Sequence, residues 1–311
     1  MSKRTQNIAI LTIITAVVAG AITWIIWMRP DQLFMKNLNA RKDNTPTSGS
    51  VSIAADRPLF AVTTLQAQYF SAHYPDTRVS ISESGSDRSL LRLIQHEVQG
   101  AMLNGPTTLQ EDSLIGRMKL SLRKEPVARN AWVCIVNPGN PVRSFSLDGL
   151  RALFSGNHGG LNKVGGREIP LRPYITSDDF RLRTGLALKL YGSAVKLEAI
   201  PCGTEAEMIE RVASEPGSMG ILPLSSLANG TENRVRIVPV STAFGSKPVA
   251  PAQFDIFTGN YPLSTIVYYV YDTHDPLAAG LGSWLAKEGQ KAFERSVIAP
   301  YRREERKIIL K

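Results

Sequence analysis

The stretch LRPYITSDDF, residues 171–180, carries the residue types of an anion-binding loop. Arg172 offers a planar fork of N–H donors that matches an oxyanion. Thr176 and Ser177 follow it by four and five positions, just where the spacing of Phe180, Leu182, Leu186 and Leu190 predicts a helix to begin. A helix start has unpaired backbone N–H groups and the positive end of a dipole, so hydroxyls there suit a bound anion. Asp178 and Asp179 argue the other way. Two unit charges about 4 Å apart repel by about 1 kcal/mol in water and about 4 kcal/mol at an effective dielectric near 20. An ionised Asp178 facing an anion therefore lowers affinity by more than tenfold. In the alternative reading, Ser177 caps the helix and both aspartates occupy its first turn, where acids complement the dipole. Arg172 then pairs with one of them, and the loop fills its own site.

Three further residues belong to the same chemistry. In SESGSDRSLL, Ser86 follows Gly85 ahead of a predicted helix; its hydroxyl and N–H can serve an oxyanion, or Ser86 or Asp87 can cap the helix. In AMLNGP, Asn104 closes a short apolar run with an amide that either donates or accepts, and its structural role is a turn residue before Gly105-Pro106. In ADRPLFAV, Phe60 stands at the start of a helix beginning near Ala61, and Pro58 removes one N–H donor. Enzyme signatures are missing from the sequence: it has no nucleophile elbow, phosphate-binding P-loop, HExxH or dinucleotide-binding glycine pattern. Glu205 and Glu207 fall on a predicted helix as solvated carboxylates. Cys134 and Cys202 match no metal spacing and leave one disulfide or two buried thiols equally open. The histidines at 73, 96, 158 and 274 form no ligand pair. No catalytic residue, metal or cofactor is expected.

The elements that must position these residues alternate. VSIAA reads as a strand, residues 61–74 as a helix with Leu65, Tyr69 and Phe70 inward, and RVSISES as a strand. GSDRSLLRLIQHEVQG follows as turn and helix with Leu90, Leu91, Ile94 and Val98 on one face. AWVCIVNPGNP is a strand stopped by Pro138 and Pro141, and SFSLDGLRALFSG a helix capped by Ser146 and ended by Gly156. REIPLRPYI, PGSMGILPLSSL and YPLSTIVYYVYD supply further strands, and LAAGLGSWLAKEGQKAFERS a late helix. This β-α-β order predicts an α/β fold with a mixed or parallel sheet.

The 311 residues suffice for two lobes with separate cores. Residues 8–28 carry no charge; a helix of about 20 apolar residues spans a bilayer, whereas the core of a cleavable signal is usually about 7–15 residues long. Lys3 and Arg4 precede the run, so the reading is an uncleaved single-pass anchor in the cytoplasmic membrane, with the remainder outside. Residues 39–50, polar with Pro, Gly and Ser, read as a tether. The net charge of +9, two units of it from Lys3 and Arg4, suits an anionic ligand or a membrane surface. No basic cluster with interleaved aromatics points to nucleic acid.

The segments EPVARNAWVCIVNPGNPVRSFSLDGLRALFSG, PGSMGILPLSSL and NYPLSTIVYYVY, then WLAKEGQKAF, occur in this order. Together they resemble the substrate-binding component of the high-affinity phosphate ABC transporter, a type II periplasmic binding protein, over about residues 50–301. The resemblance implies two α/β lobes joined by two crossover strands near residues 132–137 and 266–271. Lobe 1 comprises 50–128 plus 258–311 and lobe 2 comprises 129–257, behind the anchor at 1–29 and the tether at 30–49. It further implies inorganic phosphate or another small oxyanion as ligand, an ABC permease as partner, and contacts from Ser86, Asn104, Arg172, Thr176 and Ser177 with Phe60 lining the cleft. This chain departs from the family at three loops. No hydroxyl precedes Phe60, Asn104 stands where an aspartate accepts the proton of phosphate, and Thr176-Ser177-Asp178 stands for Ser-Gly-Thr. The competing expectation is a sensor, adaptor or structural protein on the same scaffold that has lost tight phosphate binding.

Overall fold

The computed structural model describes residues 44–156, 171–227 and 234–303. The apolar run at 8–28 and the tether up to residue 43 lie outside the described residues. Among the described residues no helix is long and apolar enough to cross a membrane.

Lobe 1 opens with β1 (Gly49–Asp56), α1 (Phe60–His73), β2 (Thr77–Ser84), α2 (Ser89–Ile94) and β3 (Gly100–Leu103), with β1 parallel to both β2 and β3. Alternate residues of these strands feed opposite faces of the sheet, as the period of two requires. Ile53, Ala55, Met102 and Tyr269 pack with Phe70 and Leu281 on one face; Ala54, Ala101 and Val270 pack with Leu90 and Leu93 on the other. The inward face of α1 differs from expectation. Thr63, Gln66, Ala67 and Phe70 are buried, while Leu65 and Tyr69 are exposed. Gln66 sets this rotation, because its Nε2 donates to the Gly289 carbonyl at 2.9 Å. In α2, Leu93 replaces Leu91 in the core, and the helix stops at Ile94 before His96 turns to φ 59°.

After α3 (Leu109–Arg117), the 15-residue strand β4 (Leu122–Val136) runs through both lobes. Its first part pairs antiparallel with β11 (Ser264–Asp272) as far as Ala131, and from Trp132 onward it pairs with β8 (Ser218–Pro223). The sequence reading begins this strand at Ala131, because LRKEPVARN is charged and holds a proline. Pro126 is accommodated at a register shift opposite Tyr268, where a missing N–H is tolerated. Lobe 2 adds β5 (Phe145–Ser146), α4 (Leu147–Phe154), β6 (Arg172–Thr176), α5 (Phe180–Tyr191), β7 (Ile200–Cys202) and α6 (Glu205–Ser214). After β8 come β9 (Arg236–Val238), β10 (Val240–Ser241) and α7 (Gln253–Thr258). The chain returns to lobe 1 through β11, α8 (Pro276–Ala286), α9 (Gln290–Glu294) and β12 (Ala299–Pro300). The main sheet has the order β2-β1-β3-β11-β4-β8-β6-β7. Ser146 caps α4, accepting from the Gly149 N–H at 3.0 Å, and Gly156 ends the segment at φ 77°. Cys134 and Cys202 are free and buried.

Trp132, where β4 changes partners, is the largest fully buried side chain and fixes α5 against the hinge. A Cβ on Gly185 of α5 would stand 2.2 Å from its ring carbon Cη2. Gly185→Ala is therefore expected to lower stability by about 1–3 kcal/mol through overpacking, despite the better helix propensity of alanine. Urea unfolding checks this; an unchanged midpoint would show that Trp132 moves freely.

Candidate functional site

The carboxyl ends of the parallel strands face the cleft between the lobes, as ligand sites of open α/β sheets do. The side chain that dominates the cleft is one that the sequence reading passed over. Arg181, at the start of α5, is 3% exposed and reaches from lobe 2 into lobe 1. Its Nη1 and Nη2 donate to the two oxygens of Glu111 at 3.1 and 2.7 Å, and Nη1 also donates to the Pro106 carbonyl at 3.1 Å. Its Nε stands 3.4 Å from Oδ2 of Asp56, a fully buried residue at the end of β1. Glu111 is itself held by a capping box at the start of α3: its carboxylate accepts from the Thr108 N–H at 2.7 Å, and Thr108 Oγ1 accepts from the Glu111 N–H at 3.2 Å. One guanidinium thus ties β1, α3 and the loop after β3 to α5.

A second ion pair crosses the cleft beside the first. Arg57 follows Asp56, donates through Nε to Glu83 at 2.9 Å, and pairs through Nη1 with Asp178. Asp178 thus answers to a cation of the opposite lobe, not to Arg172. Asp179 is the cap of α5, accepting from the Leu182 N–H at 3.0 Å. This corrects the expectation that Ser177 caps: the Ser177 N–H and hydroxyl both donate to the Cys202 carbonyl, at 2.8 and 3.0 Å. Glu205, expected to be solvated, stands with Phe60 and Ser226 on an interlobe cavity of about 470 Å³.

Ser86, Asn104 and Thr176 are brought to this cleft. Ser86 Oγ accepts from the Arg181 N–H at 3.3 Å. The Asn104 N–H donates to Asp56 Oδ2 at 2.8 Å, and its side-chain oxygen accepts from Asn130 Nδ2 at 3.0 Å. Asn104 Nδ2, Thr176 Oγ1 and one oxygen each of Asp56 and Asp179 are buried without a hydrogen-bond partner among the described residues. Phe60, the first residue of α1, lines the cavity wall. Arg172 is not brought there. It occupies the far end of β6, about 13 Å of strand from Thr176, with a side chain 58% exposed and paired with Glu215 at 3.0 Å. Of the two arginines that flank this strand and its helix, it is Arg181 and not Arg172 that reaches the cleft.

Burial raises the pKa of Asp56 against the opposing charge of Arg181. It pushes Asp179 up to about 6, with Asp56 adding to the rise, and Glu205 up to about 7, with Asp179 and Asp178 adding to it. The cleft is therefore rich in carboxylates, and the cations on it, Arg57, Arg181 and Arg234, each have a carboxylate partner. Among the described residues no group of His, Cys, Asp and Glu is arranged to hold a metal.

With this geometry in hand, the comparisons with known proteins decide the family. The model of the PBP superfamily domain matches residues 40–288. The chain belongs to the PBP superfamily. Over 227 residues it is 23% identical to the phosphate-binding protein PstS of Bacillus subtilis (strain 168), covering 73% of this chain and 71% of that one. The fold is also that of a putative phosphate ABC transporter substrate-binding protein from Clostridium perfringens, solved with bound phosphate. That likeness has a TM-score of 0.67 at 17% identity and covers 82% of this chain and all of the other. An ABC-type phosphate transport receptor from Vibrio cholerae aligns with a TM-score of 0.63 at 15% identity, over 80% of this chain and 99% of its own.

Two outcomes follow for this PBP superfamily domain. Removing one partner of a buried ion pair leaves a charge uncompensated, so Arg181→Met is expected to cost about 3–5 kcal/mol; a urea midpoint within error of wild type would show that the pairing is idle. The second concerns pH. Asp179 and Glu205 have folded pKa values of about 6 and about 7, raised above 3.8 and 4.5. The stability they contribute is fully present below the unfolded values and is lost as pH rises through about 6–7. Each shift of two units corresponds to roughly 2–3 kcal/mol. The domain is expected to melt higher at pH 5 than at pH 8, and Asp179→Asn with Glu205→Gln to narrow that gap, as scanning calorimetry would report.

Proposed function

We propose that the chain is an extracytoplasmic substrate-binding-type domain on the phosphate-binding-protein scaffold, held at the membrane by residues 8–28, that works as a sensor or adaptor without tight phosphate binding. The observation that carries this is the state of Arg181. An oxyanion site requires free donors, and the two Nη groups of this guanidinium already serve Glu111 and the Pro106 carbonyl, while its buried Nε, 3.4 Å from Asp56, has no hydrogen-bond partner among the described residues. An anion entering the cleft also meets Asp179 and Glu205, and at an effective dielectric near 20 an ionised carboxylate about 4 Å away repels it by about 4 kcal/mol; Asp178 is already paired with Arg57. The lobes, in this reading, are held together by side chains of the chain itself. What the domain presents to a partner is their relative position.

A second reading, delivery of phosphate or a related oxyanion to an ABC permease, is favoured by a specific observation. Asn104 Nδ2 and Thr176 Oγ1 are buried hydrogen-bonding groups with no described partner, at the strand ends where a ligand sits. The division into lobe 1 at 50–128 plus 258–311 and lobe 2 at 129–257 belongs to both readings.

Thermal unfolding of the full chain with millimolar phosphate or sulfate separates them. A ligand at about 100 times its dissociation constant stabilises by about 2.7 kcal/mol. The sensor or adaptor reading predicts no shift in the wild type and a phosphate-dependent rise in an Asp56→Ser, Asp178→Thr variant that removes the carboxylates facing Arg181 Nε and Arg57 Nη1. A phosphate-specific rise in the wild type, lost when Thr176 and Asn104 are replaced, establishes the transport reading instead.

A further inference from the structure

Where α5 crosses the hinge strands there is a second cavity, of about 420 Å³, lined by Trp132 and Arg129 of β4, Leu188 and Lys189 of α5, and Pro106 and Pro262 among others. Its chemistry is the reverse of the acidic cleft, since no Asp or Glu lines it. Arg129 lies with its guanidinium carbon 5.0 Å above the Tyr301 ring, and its buried Nε has no hydrogen-bond partner among the described residues. Lys189 is exposed as a whole residue, yet burial lowers its ammonium pKa and no carboxylate contributes in the other direction. Trp132, whose side chain is 2% exposed, adds aromatic wall to the cavity.

Two cations line this cavity with no carboxylate among its lining residues to pair with them. Leu188, Pro106 and Pro262 add apolar wall, and the volume falls within the range of small-molecule pockets. Inorganic phosphate has no body to place against that wall. A carboxylate on an aromatic or aliphatic frame has both parts, and arginine receives carboxylates through two parallel hydrogen bonds.

We propose that this hinge cavity binds a small organic carboxylate, its head taken by Arg129 and Lys189 and its apolar body laid against Trp132, Leu188 and Pro262. The site shares no lining residue with the 470 Å³ interlobe cavity and stands independently of the sensor or transport reading. Pro106 comes from lobe 1 and α5 from lobe 2, so an occupant touches both lobes beside the strands that join them.

Saturation-transfer NMR on the full chain tests this, with benzoate as the probe, benzamide as its neutral counterpart and inorganic phosphate as competitor. Saturable benzoate binding is expected, weaker by at least about tenfold for benzamide and for benzoate with Arg129→Gln, the scale of a lost charged hydrogen bond. Arg129 also stacks on Tyr301, so Lys189→Glu, at an exposed position of α5, is the second variant; the same direction of loss is expected with an unchanged circular dichroism spectrum. Equal binding of benzamide, no binding of benzoate, or wild-type affinity in both variants overturns the proposal. Displacement of benzoate by an equal concentration of phosphate overturns it as well, because the site would then be a general anion patch.

Discussion

Burying a guanidinium obliges the surrounding chain to bring it carboxylates, and in this protein the carboxylates come from the opposite lobe. Arg181 leaves the first turn of α5 and meets Glu111 on α3 and Asp56 at the end of β1. Each partner is fixed by a separate local device: a capping box holds Glu111, and the Asn104 N–H holds Asp56. The relative position of the lobes is therefore specified by hydrogen bonds of 2.7–3.1 Å as well as by β4, which runs through both. The arrangement stabilises less than its contact list suggests, because desolvating three charged groups opposes their attraction. What it supplies is one preferred geometry, since any opening leaves a charge unpaired.

The same constraint explains the chemistry of the cleft. A scaffold whose relatives include phosphate-binding proteins has its hydrogen-bonding groups at strand ends and helix starts, and Ser86, Asn104 and Thr176 keep those places. Carboxylates added among them reverse the sign of the site. Burial, with neighbouring carboxylates adding to it, raises the pKa of Asp179 and Glu205 toward neutrality. By contrast, the cavity beside the hinge keeps its cations free of described carboxylates.

Most of the fold was legible because its strands are apolar runs punctuated by Gly and Pro: AWVCIV, SMGILP and STIVYYVY all appear as strands. Rotation of helices was less legible. Leu65 and Tyr69 look like core by type, but a polar residue, Gln66, decides the face of α1 by bonding to the Gly289 carbonyl. In the site, Ser86, Asn104 and Thr176 could be found from the loops that carry them. Arg181 could not be found from periodicity, because in DDFRLRTGLALKLY it stands beside Arg183 and reads as solvated face. Two signals were available. A cation in the first turn of a helix opposes the dipole and needs a reason to be there, and Asp56 closes an apolar strand at the end where ligands sit.

The measurement that most directly tests the account is the distance between the lobes in solution. Spin labels at Asp76→Cys in lobe 1 and Ser193→Cys in lobe 2, both exposed positions, report it by pulsed electron resonance without disturbing the buried native cysteines. If Arg181 sets the geometry, the full chain shows one narrow distance that phosphate leaves unchanged, and Arg181→Met broadens it. A broad distribution in the wild type that narrows when phosphate is added would mean that an anion, and not the chain's own ion pairs, closes the lobes.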